Sequence, residues 1–467
     1  MHIVVCALIV SVFTLDFIKV EFGLPLVVAL LPEALSGLAF LMALRGFMTN
    51  GIKLPPRYLL YFGILLLTVI SGLFVAEATT GPLVGGIRFY CKYIPFLLLP
   101  MACPFSSEQL RQQMLLILLM ALMQFPITFL QRFVWYIGES GDEARGTLTS
   151  GSQTAIVLLC AIAVVVASNF KRGLSAAVAV ILCLLLFLPP TIAEVKGALV
   201  LVPFAIAIPF FYTPKKYKSR TQSLAIVGSI VACVALFSTL YYVAESTREG
   251  RRGVEHKVDV IEFLTDPSLI IRYMAPQLGG YTSTDRVGRW DAIAEPFQHF
   301  NENPLRYFSG LGMGALSEAP ISAFSADQYV ELRDSRTTVG LSMLLWEFGV
   351  LGTLVILLGL FMVWRDAVKL RHLDGLIGTL ALGFTAVIPI LFFAMFWKNP
   401  LSNPALMSLI ALFAGHMISA SYRTAAVEFP EPVTEQRSNE ATELPRILNE
   451  APRLREPLGR GRGRVPG

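Results

Sequence analysis

The stretch VGLSMLLWEFGVLGTLVILLGLFMVW, residues 339–364, decides the fold, because its apolar run carries one charge, Glu347, and is too long for an ordinary soluble core helix. A helix needs about 20 apolar residues to cross the hydrocarbon core of a bilayer. This run exceeds that length. It shows neither the stripe of an amphipathic helix nor the alternation of a half-buried strand. Lipid is the surrounding that suits it.

The same pattern repeats in both directions along the chain. Apolar stretches follow near 374–397 and 402–421. Others precede it near 2–20, 24–44, 58–76, 83–101, 111–135, 151–169, 174–192, 196–212 and 221–243. The expectation is an all-α integral membrane protein with about twelve transmembrane helices. Composition agrees: the 467 residues are 55% hydrophobic and 15% charged, with mean hydropathy +0.63. A soluble protein carries about a quarter charged residues, so length here does not imply several soluble domains. The first stretch, His2 to Val20, has no basic lead-in and no small-residue cleavage site, and reads as a retained span. Pro189 and Pro190 place a break between the seventh and eighth stretches, since consecutive prolines cannot continue a helix.

Lysine and arginine gather in alternate connections. One set holds Arg45, Lys53 and Arg57, then Lys171 and Arg172, then Lys215, Lys216, Lys218 and Arg220, then Arg365, Lys369 and Arg371. The other holds Asp16, Lys19 and Glu21, then Glu77, then Glu139, Asp142, Glu143 and Arg145. The positive-inside trend puts the first set and both termini in the cytoplasm. The chain then divides into nine spans over 1–243, an outward-facing loop over 244–338, three spans over 339–421, and a tail over 422–467. The loop is expected to form a small helical cap anchored by Trp290, Phe297, Phe300, Tyr307 and Phe308. The tail is too poor in apolar residues to fold, and its arginines either solubilise it or touch anionic lipid. None of the six cysteines lies in the loop, so neither a disulfide framework nor a cysteine metal site is expected there.

Ionisable residues inside spans are candidates for function. Arg88 and Lys92, in GGIRFYCKYIPF, stand four apart on one helical face. They read either as snorkelling cations or as an anion site. Glu194 and Lys196, in PPTIAEVKGALVLVPF, read either as a self-satisfied pair or as a carboxylate beside a lysine that shares a cavity with Arg88 and Lys92. Arg145 precedes a glycine and small hydroxyl residues in EARGTLTSGSQTA, where backbone donors can come close to a ligand. Glu347 is expected about two turns below the outer surface. Cations on the side that should lack them point to an anionic ligand, because arginine forks and lysine charges match phosphate oxygens. The sequence contains no GxxxxGKS/T phosphate loop, no HExxH and no serine–histidine–aspartate set in the loop. SGLGMG, Ser309 to Gly314, is expected to be a glycine-rich turn and not a dinucleotide fingerprint. No metal, cofactor or nucleic acid is expected.

Four segments carry a resemblance: ARGTLTSG (144–151), AEVKGALVLVP (193–203), DRVGRWDAIAEPFQHFNENPLRYFSGLGMGALSE (285–318) and LLWEFGVLG (344–352). With the loop between the ninth and tenth spans, they resemble the O-antigen ligase and polysaccharide polymerase superfamily of bacterial inner-membrane proteins. The resemblance implies a GT-C-like body with a periplasmic loop. It also implies a glycosyltransferase that moves glycan from undecaprenyl diphosphate to an acceptor at the periplasmic face, without a nucleotide sugar. Fixed cations would stabilise the departing diphosphate, and a base would take the acceptor proton. On that reading Arg145, Arg286 and Arg289 are diphosphate ligands, with Arg88, Lys92 and Lys196 as a second set. Membrane lipids, a flippase and a chain-length regulator are the implied partners.

One departure matters. Ligases of the superfamily typically carry a histidine where this chain has Thr338, in RTTVG. His256 and His299 lie elsewhere in the loop, so the base is expected to be Glu347 or Glu194, since desolvation can raise a carboxylate's proton affinity. The missing histidine favours a polymerase of lipid-linked repeats over a ligase that transfers glycan to a lipid A core or a protein. A transporter of lipid-linked sugar is the third reading. It would usually show internal repeats, and none is apparent in the sequence.

Overall fold

In the computed structural model, residues 1–23, 25, 28, 30–51, 54–76, 80–136, 143–171, 173–249, 266, 268, 288–301, 303–317 and 339–428 are described. Arg286, His256, Thr338, Lys53, Glu77, Glu139, Asp142, Arg172, much of the 244–338 loop and the tail beyond 428 lie outside them. The chain divides into Met1–Arg423 and Thr424–Gly467; of the second unit only 424–428 are described, and they are helical.

The elements are α1 (His2–Phe22), α2 (Leu31–Asn50), α3 (Pro56–Ala76), α4 (Thr80–Cys91), α5 (Ile94–Ala102), α6 (Ser107–Leu130) with a π-turn over Gln131–Trp135, and α7 (Gly151–Phe170). Then come α8 (Ala176–Ile192), α9 (Lys196–Tyr212), α10 (Arg220–Glu249), α11 (Arg289–His299), α12 (Pro304–Ser309), α13 (Gly340–Leu370), α14 (Gly375–Trp397) and α15 (Pro404–Glu428). No strand occurs among the described residues. Among the described residues, eight helices are long and apolar enough to cross a membrane, and three shorter apolar helices, within α3, α8 and α9, accompany them. The chain is thus an all-α protein of multi-pass membrane type.

Proline and glycine set the element boundaries. Within the second apolar stretch, α2 starts at Leu31 with Pro32 in its first turn, where a missing N–H is harmless, while residues 24, 26, 27 and 29 lie outside the described ones. The fourth stretch is not one helix. Pro95 has no N–H to offer the Cys91 carbonyl, so α4 stops there and α5 restarts at Ile94, leaving Lys92 in the turn between them, where it and Arg88 both neighbour Glu33. Pro189 and Pro190, by contrast, do not end α8. The helix runs through both to Ile192, with Thr191 Oγ1 donating to the Phe187 carbonyl at 2.8 Å, and the break falls at Ala193–Val195.

Helix α7 is buried at the centre, packed against α8, α9 and α14, with Gly383 of α14 so close to Val164 that a side chain there would collide. Peripheral α10 exposes Leu224, Val227 and Val231, a lipid-type face at helical spacing. The basic connections meet at one end of the bundle. Lys171 donates to the Leu373 carbonyl at 2.7 Å, Lys216 lies 3.3 Å from Asp374, and Arg57 reaches both Asp366 at 2.6 Å and Ser421 at 3.1 Å. Asp366 also accepts from the buried Tyr58 hydroxyl at 2.7 Å, which ties α3 to α13.

Replacing Asp366 with alanine leaves Tyr58 unbonded in the core, while Arg57 can still turn to water. The expected loss is about 1–3 kcal/mol, read as a lower thermal unfolding midpoint in detergent, with Asp366→Asn losing less.

Candidate functional site

The opposite end of the bundle holds the charges that the sequence singles out. Glu21 ends α1, and Tyr136, just past the π-turn, donates to its carboxylate, 2.8 and 2.7 Å from the two oxygens. Arg145 Nη2 lies 3.8 Å from the same carboxylate. Burial, then the neighbouring Glu21, push the Tyr136 phenol above its ordinary proton affinity, against the opposing pull of Arg145. Tyr136 therefore stays a donor at neutral pH.

The segment after Arg145 differs from expectation. Its backbone donors turn inward: Gly146 N–H donates to Gln131 Oε1 at 2.7 Å and Thr147 N–H to Gln124 Oε1 at 2.8 Å. Gly146 has φ 68 and lies so close to Gln124 that a Cβ would clash. The small residues thus serve close packing on α6, not ligand approach through the backbone. Gln124 and Gln131 are seven apart, on one buried face of α6 and its π-turn.

Glu194 is the one non-glycine residue with positive φ among those described, at 56. A left-handed backbone costs such a residue about 1–2 kcal/mol. Hydrogen bonds from Glu194 N–H to the Thr191 carbonyl at 3.0 Å and from Val195 N–H to the Pro190 carbonyl at 3.0 Å hold the turn. Its carboxylate meets Arg132 at 2.9 Å, with both side chains largely buried. Arg132 was not among the candidates. The rule that marks Arg88 and Lys92, a cation inside an apolar stretch, applies equally to it, and the π-turn is what aims it at Glu194.

Lys196 opens α9, and the next residue, Gly197, lies flush on the Trp397 indole. The Trp397 carbonyl accepts from Arg289 Nε at 2.9 Å. Gln153 of α7 donates to Ser402 at 2.8 Å, and Gly151 abuts Ala193. Arg145, Glu194, Lys196 and Arg289 therefore lie along one unbroken run of packed segments. Arg88 and Lys92 lie beside α1 and α2: Arg88 is ion-paired with Glu33 at 2.5 Å, while Lys92 has Glu33, Arg88 and Asp16 as charged neighbours and sits over the Tyr93 ring.

Glu347 is fully buried. Its Oε1 accepts from Leu316 N–H at 2.8 Å and from the Ser317 hydroxyl at 2.9 Å. Gly349, at φ 60, interrupts α13, and the carbonyls of Trp346 and Glu347 accept from Leu311 N–H at 2.7 Å and Gly312 N–H at 3.0 Å. Glu347 thus fastens the glycine-rich turn 310–317 to α13. Gly314, with φ 93, packs against the Pro82 carbonyl of α4. The local core here is Phe300, Leu311, Ala315, Leu316 and Trp346. Of the five expected anchors Phe300 is in this core and Tyr307 packs against it, whereas Phe297, Phe308 and Trp290 are exposed, Trp290 because α11 turns Ala292 and Ile293 inward; His299 lies against Trp346 with ring centroids 5.0 Å apart.

No known protein family matches this sequence, and no curated protein matches it either.

Glu347→Gln keeps an acceptor for Leu316 and Ser317 and should leave the unfolding midpoint near that of the parent. Glu347→Ala removes the acceptor and opens a cavity, and should cost about 2–5 kcal/mol. Gly314→Ala, strained and in collision with Pro82, should expose the 310–317 turn to limited proteolysis while the helix content measured by circular dichroism is retained.

Proposed function

We propose that the protein is a glycosyltransferase of the polysaccharide polymerase kind, using glycan linked to a polyprenyl diphosphate. The observation that carries this reading is the run of Arg145, Glu194, Lys196 and Arg289 at the end of the bundle away from the basic connections, each set by contacts between segments distant in sequence. Cations held in place before the substrate arrives suit a leaving diphosphate, because no reorganisation is needed as its charge develops.

On this reading about twelve helices cross a bacterial inner membrane as a GT-C-like body. The basic end and both termini face the cytoplasm, and the 244–338 loop faces the periplasm. Arg145, Arg289, Lys196 and Arg286 bind the diphosphate, with Arg88 and Lys92 a secondary set beyond α1. An acceptor hydroxyl oxygen bonds to the anomeric carbon, the bond from that carbon to the diphosphate oxygen breaks, and the hydroxyl proton passes to a carboxylate. Glu194 is the better placed of the two proposed bases, since it lies on the run with the cations. Arg132 positions it. Glu347, enclosed and bonded to the turn, holds the cap in place instead.

Purified protein supplied with a lipid-linked repeat unit should give a ladder of products. Arg145→Ala and Glu194→Gln should each lower the rate by about 100-fold or more, while Lys216→Ala at the far end leaves it unchanged. A substrate that only crosses the bilayer of liposomes without being joined, or normal ladders from both variants, would overturn the assignment.

A further inference from the structure

A cavity of about 500 Å³ lies among α6, α7, α14 and α15, with Arg111, Gly173, Leu174 and Leu376 of its lining at the end that holds the basic connections. Ala161 and Val164 of α7 and Leu380 and Phe384 of α14 line it, with Leu118 of α6 and Phe413 of α15 at the sides. The close contact of Gly383 with Val164 locks α7 to α14, so this part of the lining is rigid. The polar side chains among the lining residues are Arg111 and Ser168, both toward the basic end.

We propose that this cavity holds one acyl chain of an anionic phospholipid whose headgroup rests at Arg111 and Lys171. The inference goes beyond the transfer reaction and does not depend on it, because none of the residues proposed for that reaction lines the cavity. Its lining is apolar, so water gains nothing there, and in a multi-pass membrane protein the fluid able to fill it is hydrocarbon. Its volume falls within the range of about 300–1,000 Å³ typical of preformed ligand sites. The charge at its mouth has the sign that attracts anionic lipid. Arg111 lies 3.7 Å from Glu108 with both side chains more than 60% exposed, a weak pair that a phosphate can displace. Lys171 is held beside the lining residues Gly173 and Leu174 by its bond to the Leu373 carbonyl and its position 4.2 Å from the Tyr217 ring centroid.

The test uses the full chain in phosphatidylcholine vesicles doped with phosphatidylglycerol that carries a photoactivatable group on one acyl chain. Labelled peptides should map to 114–121, 157–165 and 376–387, with much weaker labelling of the exposed faces of α3 and α10. Ala161→Phe, which fills the slot, should remove that label and leave α3 and α10 unchanged. Arg111→Glu should lower the preference for phosphatidylglycerol over phosphatidylcholine about fivefold. Even labelling over all lipid-facing helices would overturn the proposal, as would equal labelling of the cavity by a phosphatidylcholine probe. The map on the unaltered protein decides the matter even if Ala161→Phe does not fold.

Discussion

A carboxylate or guanidinium carried into an apolar surround must meet its opposite there, since the desolvation of either alone exceeds what packing can offset. Four such pairs among the described residues join segments far apart in sequence. Glu33 of α2 meets Arg88 of α4, Arg132 of the π-turn meets Glu194 between α8 and α9, Glu21 of α1 meets Arg145, and Arg57 of α3 meets Asp366 of α13. Apolar helices can slide and rotate against one another at little cost. These pairs remove that freedom, and they fix which helices are neighbours and at what height.

Three of the four pairs stand at the end away from the basic connections, where the proposed diphosphate site lies. An arginine already oriented by a glutamate is a poor free cation but a well-placed one. On the proposed reading, a diphosphate that approaches Arg145 would find the guanidinium in position, with Glu21 as the group that must move or accept a proton. The strained backbone of Glu194 belongs to the same arrangement: the left-handed turn lets α8 end and α9 begin without moving the carboxylate away from Arg132.

The glycine-rich turn shows a second way of fixing a mobile element. Gly349 interrupts α13, the carbonyls of Trp346 and Glu347 turn to the loop, and the Glu347 carboxylate closes the other side of the turn. Gly310, Gly312 and Gly314 all adopt positive φ, which side-chain-bearing residues rarely do. The described turn 310–317 is thereby fastened to α13, which sets its orientation.

The sequence alone determined the class of the fold and its ends. Long apolar runs dictate helices wherever backbone groups lack water, and the stretches near 151–169 and 196–212 became helices within a residue of their hydropathy limits. The alternation of lysine and arginine foretold that the connections around Arg57, Lys171, Lys216 and Arg371 lie together, as they do. Local chemistry was legible less evenly: a helix break falls at Pro95, whereas α8 continues through Pro189 and Pro190, with the Thr191 hydroxyl bonded to the Phe187 carbonyl. Only the tertiary structure decided the partners. Nothing in the order of residues announces that Glu194 meets Arg132 of the distant π-turn, that the N–H groups of Gly146 and Thr147 are taken up by Gln131 and Gln124, or that Trp290 faces outward while Trp346 forms the core. Hydropathy reports what each residue prefers to be surrounded by; which side chain supplies that surrounding depends on the packing of segments hundreds of residues apart.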